Sequence, residues 1–179
     1  MTKPPQPTGT IKWPEDQSPE LSQAHYAAIG RVASGWAALE ATIDTASIHL
    51  ADITPNVGVC FTSQIAGTGR KIDAYIALAR LQGASKTISA LNEFAKDTQG
   101  LSEQRNRIIH DPWIGATNPH RLEASARKTL RLEFIPTPTD TVLELANKIM
   151  LYEKRIIDIA EKVTLEVRTS RGKPPPPSS

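Results

Sequence analysis

Residues 29–53 read IGRVASGWAALEATIDTASIHLADI, and the apolar members Ile29, Val32, Trp36, Leu39, Ile43, Ala46, Leu50 and Ile53 recur at intervals of three and four. That spacing draws one apolar stripe along one face of a helix. Upstream, Ser18-Pro19-Glu20 offers an N-cap, a first-turn proline and an acid at the positive end of the helix dipole. Downstream, Thr54-Pro55-Asn56 with Gly58 reads as a stop. The predicted first helix therefore covers residues 19–53.

The rhythm recurs further along. Phe61, Ile65, Ile72, Tyr75, Ile76 and Ala79 mark a second helical stretch over 61–82, interrupted at Gly67-Thr68-Gly69. The string Gly-Thr-Gly-Arg-Lys invites a phosphate-loop reading, but no strand pattern precedes it, and the spacing and following Ser/Thr of a P-loop are missing. A third helix is predicted from Ser85 to Asp111, with Ile88, Leu91, Phe94, Ala95, Leu101 and Ile108 inward and Pro112 ending it. Leu130, Leu132 and Phe134 then alternate with Arg131 and Glu133, the period of a half-buried strand, and Leu122, Ala124 and Ala126 offer it a partner. Pro136 and Pro138 close that hairpin. Thr141 with Glu144 reads as a capping box for a last helix bearing Val142, Leu145, Ile149, Tyr152, Ile156, Ile159 and Val163.

Four amphipathic helices bury their stripes together by packing as a bundle. The expected fold is all-α: an antiparallel four-helix bundle with a small β-hairpin inserted between helices three and four. Prolines crowd residues 1–19 and fill 174–177, so residues 1–18 and 170–179 are expected as disordered tails around a domain at 19–169.

With 179 residues, the chain is sized for one domain. It has no apolar run of membrane-spanning length and no secretory segment among its first twenty residues, so the expected location is the cytoplasm. The one cysteine, Cys60, excludes an internal disulfide and a multi-thiolate zinc site. His25, His49 and His120 share no metal-ligand spacing, so neither a metal nor another cofactor is expected. Net charge is only +2, yet residues 101–131 hold six bases (Arg105, Arg107, Arg121, Arg127, Lys128, Arg131) against three acids (Glu103, Asp111, Glu123). A polyanion would meet that stretch first.

Its densest part is Leu101-Ser-Glu-Gln-Arg-Asn-Arg-Ile-Ile-His-Asp-Pro-Trp113. Arg105 continues the inward stripe, four after Leu101 and three before Ile108, which puts a guanidinium where an apolar side chain belongs. A charge placed there needs a partner. Asn106 and His110 are four apart on one face, whereas Arg105 and His110 lie about 140° apart around an ideal helix, so only the long arginine side chain could bring the two heads together.

Arg105-Asn106-Arg107-Ile108-Ile109-His110 resembles the arginine, polar residue, spacer and histidine signature of HEPN domains. The long first helix with Trp36-Ala-Ala-Leu39-Glu40, the position of the motif late in helix three and the Asp-Pro-Trp that follows extend the resemblance over residues 20–168. The resemblance implies a metal-independent endoribonuclease, a toxin or antiviral effector, working as a homodimer whose motifs meet across the subunit seam. RNA is the implied substrate, with an antitoxin or other protein as a further partner. On that reading His110 moves the proton, Arg105 stabilises phosphate charge, and Asn106 orients the phosphate or the imidazole. Glu40 and Glu103 are candidate supports for Arg105, and Arg107, Arg121, Arg127, Lys128 and Arg131 are the candidate RNA contacts. Two other readings remain open from the residues: a catalytically inactive bundle that binds RNA or serves as a dimeric interaction module, and an adaptor that docks through its proline tails. Trp113 reads as a core plug.

Overall fold

The computed structural model describes residues 12–125 and 131–172, and over them the fold is mainly helical with a small antiparallel sheet. The helices are α1 (Gln23–Ala51), α2 (Pro55–Thr62), α3 (Thr68–Leu81), α4 (Ile88–His110) and α5 (Thr139–Ser170). The strands β1 (Trp113–Ile114), β2 (His120–Ser125) and β3 (Arg131–Pro136) lie between α4 and α5. Two compact units share them: one takes its residues from 1–33 and 104–146, the other from 34–103 and 147–179.

The sheet belongs to the first unit. β2 pairs with β3 from His120↔Pro136 to Ser125↔Arg131, and β1 adds Trp113↔Arg121 and Ile114↔His120. The expected hairpin is therefore the larger part of a three-stranded sheet. Its connection at 126–130, with Ala126 and Leu130 of the expected alternation, lies outside the described residues. Segment 12–18, expected as tail, is fastened to this sheet. The Asp16 carboxylate accepts from the Thr117 amide and hydroxyl at 2.9 Å each and from the Ser18 amide at 3.1 Å, while the Gly115 amide donates to the Ser18 carbonyl at 2.8 Å. Gly115 has φ 94°, and a Cβ there would lie 2.4 Å from the Asn118 carbonyl oxygen, so the turn requires glycine. The amide of Thr117 foremost, then that of Ser18, holds the Asp16 carboxyl down at about 2. Trp13 packs on Phe134 with ring centroids 4.9 Å apart.

The start of α1 also differs from expectation. The amide of Glu20 donates to the Ser18 hydroxyl in a local turn, and the cap is Ser22, whose hydroxyl accepts from the His25 amide at 3.2 Å. Leu21, Ala28, Val32, Ile108, Val142 and Leu145 are buried in this unit. α5 opens two residues before the expected capping box, and the Pro138 carbonyl receives the Thr141 and Val142 amides.

In the second unit α1 ends at Ala51, and Asp52 turns the chain at φ 57°. Pro55 begins a helix instead of ending one, as a proline at the first helical position does. The expected second stretch consequently splits into α2 and α3, with Gly67 at φ 86° before Thr68. Gly58, read as part of a stop, is buried within α2, where a Cβ would come within 2.3 Å of Ile48 Cγ1. Phe61, expected inward, is exposed. Trp36, Leu39, Ile43, Ile72, Tyr75, Leu91, Phe94, Ile149, Ile156 and Val163 form the core here as their stripes foretold. Polar ties join the helices. Lys71 pairs with Asp44 at 2.5 Å, and Arg155 with Asp97 at 2.7 Å. One oxygen of the Glu166 carboxylate accepts from the amides of Ser85 and Lys86 at 2.7 Å each, and the other from the Thr87 amide at 3.1 Å and hydroxyl at 2.9 Å. α4 therefore begins at Ile88, later than the expected Ser85, with an acid from α5 on the donors before it. No helix among the described residues is long and apolar enough to cross a membrane.

Candidate functional site

Arg105, Asn106 and His110 all lie on the last part of α4, within the first unit. Pro112 cannot continue the helix, and the chain leaves it through Asp111 into β1. Two devices fix that end. The indole of Trp113 donates to the Ile108 carbonyl at 3.0 Å, satisfying one of the acceptors a helix C-terminus leaves open. The carboxylate of Asp111 pairs with Arg107 at 3.5 Å and, in closer contact, with Arg121. His110 stands between these anchors with its side chain exposed.

Arg105 is half-buried, with its Nε out of solvent, and its Nη1 donates to the Asn106 Oδ1 at 2.9 Å. The structure thus joins Arg105 to Asn106. Asn106 itself is exposed and one turn before His110 on the same face. Glu103 is exposed on the turn before. Glu40 belongs to the second unit, and its carboxylate accepts from the Thr68 hydroxyl in a short contact and from the Trp36 indole at 3.3 Å. Those bonds link α1 to the start of α3.

The candidate RNA contacts divide. Arg121 is buried to 11% exposure between Asp111 and Glu123, with the Glu123 contact at 3.4 Å, and Arg107 reaches Glu123 at 3.9 Å. Two arginines and two acids form a neutral network, so neither arginine meets a phosphate without loosening it. Arg127 and Lys128 lie outside the described residues, and Arg131 is placed here only as the residue opposite Ser125 in the β2–β3 ladder.

Two residues matter more than the sequence suggested. Asp111 is the shared acceptor of the network, and its i,i+4 spacing from Arg107 was the legible signal. His25 is wholly buried, its Nδ1 3.0 Å from the Thr139 hydroxyl oxygen and its ring edge-on to Trp113 at 4.7 Å. Burial lowers its pKa, since the charged ring would lose water without gaining a counter-ion. It therefore backs the tryptophan that closes α4. Among the described residues no three His, Cys, Asp or Glu side chains are grouped to hold a metal ion. Comparison of the chain with family models, with curated proteins and with solved structures gives no match.

Proposed function

We propose that the chain is a cytoplasmic HEPN-like four-helix bundle that cuts RNA without a metal, by attack of a ribose 2′-hydroxyl on the adjoining phosphorus. The P–O5′ bond breaks as the 2′-oxygen bond forms, leaving a 2′,3′-cyclic phosphate and a 5′-hydroxyl, with no water consumed. One proton leaves the 2′-oxygen and one reaches the departing 5′-oxygen. Imidazole near neutral pH serves either transfer, and that task falls to His110. Arg105 presents a planar fork to the charge gathering on the phosphoryl oxygens, and Asn106 holds the fork. The observation that carries this reading is the bonded Arg105–Asn106 pair one turn before an exposed histidine on a helix end fastened at Ile108 and Asp111. The subunits pair as a homodimer and share the site, and an antitoxin is a fitting regulator of such an activity.

Purified protein incubated with structured RNA in EDTA tests it. The expected result is fragments with cyclic phosphate ends that His110→Ala abolishes. Intact RNA under the same conditions refutes the enzyme. The neutral Arg107–Asp111–Arg121–Glu123 network favours a second reading, a silent interaction module, because it cancels part of the charge that would draw RNA.

A further inference from the structure

The second unit exposes large apolar side chains along the outer face of α5. Met150, Ile157 and Leu165 are 46%, 41% and 52% exposed, although the opposite face of the same helix already fills the core with Ile149, Ile156 and Val163. Positions 150, 154, 157, 161 and 165 follow one another by four, three, four and four, so they form a single stripe. It reads Met150, Lys154, Ile157, Glu161, Leu165. Beside it runs a groove of about 870 Å³, whose other wall is the alanine and threonine face of α1, including Ala38, Ala41, Thr42 and Thr45. Ile157, Glu161 and Leu165 line the α5 wall.

Written backwards, the stripe keeps its apolar positions and exchanges its charges. A helix laid antiparallel on its own copy about an axis beside Ile157 would bring Met150 to Leu165, Lys154 to Glu161, and the two Ile157 together. Closed two-fold symmetry makes each of those meetings occur twice, which is the requirement for an isologous interface. The small side chains on α1 leave holes for the incoming Ile157 and Leu165. A parallel arrangement would instead set Lys154 against Lys154 and Glu161 against Glu161. We propose that the outer face of α5 and the adjoining α1 groove are a self-association surface, occupied by the antiparallel α5 of a second copy. The inference rests on this stripe alone, in the second unit and not at the motif of the first, so it adds a contact between copies to any seam that shares the site, and it stands whether or not the chain cuts RNA.

The test is a charge exchange read by sedimentation velocity across the micromolar range. The native chain is expected to be a reversible dimer. Lys154→Glu and Glu161→Lys each replace two attractive meetings by two repulsive ones, which should weaken the dimer about tenfold. The double exchange Lys154→Glu/Glu161→Lys restores opposite signs and should recover affinity to within about threefold. Both side chains are exposed, so the fold should survive, and circular dichroism checks that it does. A native chain that stays monomeric overturns the proposal, as does a dimer indifferent to the single exchanges or no stronger in the double than in the singles. RNA cleavage lost through His110→Ala with dimerisation intact would separate the fate of the enzymatic reading from that of this surface.

Discussion

Replacing Glu166 should weaken the second unit, because that one carboxylate holds the three amides that precede α4. Its oxygens accept from Ser85, Lys86 and Thr87, and from two hydroxyls besides. A hydrogen bond to a charged group contributes about 1.5–3 kcal/mol, and loss of a helix cap costs about 0.5–2 kcal/mol. Water reaches this carboxylate, so the lower part of each range applies. Glu166→Gln keeps one acceptor and drops the charge, for about 1 kcal/mol; Glu166→Ala removes both, for about 2 kcal/mol. In a chain of this size the losses correspond to about 3 °C and 6 °C of melting temperature. The backbone amides of Lys86 and Ser85 hold the Glu166 carboxyl at about 2, below its ordinary 4.5. With the folded value below the unfolded one, the stabilisation is complete above about pH 4.5 and is lost as pH falls toward about 2. Urea unfolding of the native chain and Glu166→Gln at pH 7 and pH 3 checks both parts. Equal stabilities at pH 7, or a gap that fails to narrow at pH 3, would refute the reasoning.

Three further outcomes follow from the packing. Gly58→Ala forces a Cβ against Ile48, and overpacking of about 1–3 kcal/mol outweighs the roughly 1 kcal/mol gained in helix propensity, so chemical denaturation should show a net loss. Asp111→Ala strips the shared acceptor from Arg107 and Arg121 and should cost about 2 kcal/mol, whereas Glu103→Ala on the exposed face should change stability by less than about 0.5 kcal/mol. Buried His25 titrates below its ordinary 6.5, so the unfolded chain takes up the proton first and stability declines as pH drops below about 6.5. Its replacement by Gln should flatten the stability profile between pH 7 and 5, and an unchanged slope would assign that dependence to another group.

The long helices were readable because each buries one stripe against a core: Val32, Trp36, Leu39 and Ile43 keep the spacing their positions announce, and so do Leu91, Phe94 and Leu101. The ends were less readable. Ser18 and Ser22 both carry capping chemistry, and only the chain's path onto the sheet decides for Ser22. Pro55 suits either a stop or a first turn, and the close seat of Gly58 on Ile48 accompanies the second choice. Phe61 followed an apolar pattern inward, but the break before α3 lets α2 turn it to solvent. At the candidate site, the order Arg105, Asn106, His110 on one helix was legible from spacing. The partners were not. Glu40 meets Thr68 across 28 residues, and Glu166 reaches back some eighty residues to Ser85; no local pattern encodes contacts so distant along the chain.

Each compact unit is assembled from separated stretches, the first from residues up to 33 and from 104 to 146, the second from 34–103 and from 147 onward. During synthesis on a ribosome, the earliest helical turns must therefore wait for the sheet that receives them, and Asp16 finds Thr117 only after about a hundred intervening residues have emerged. Nascent chains halted before residue 146 hold neither unit complete, so protease resistance should arise late in elongation.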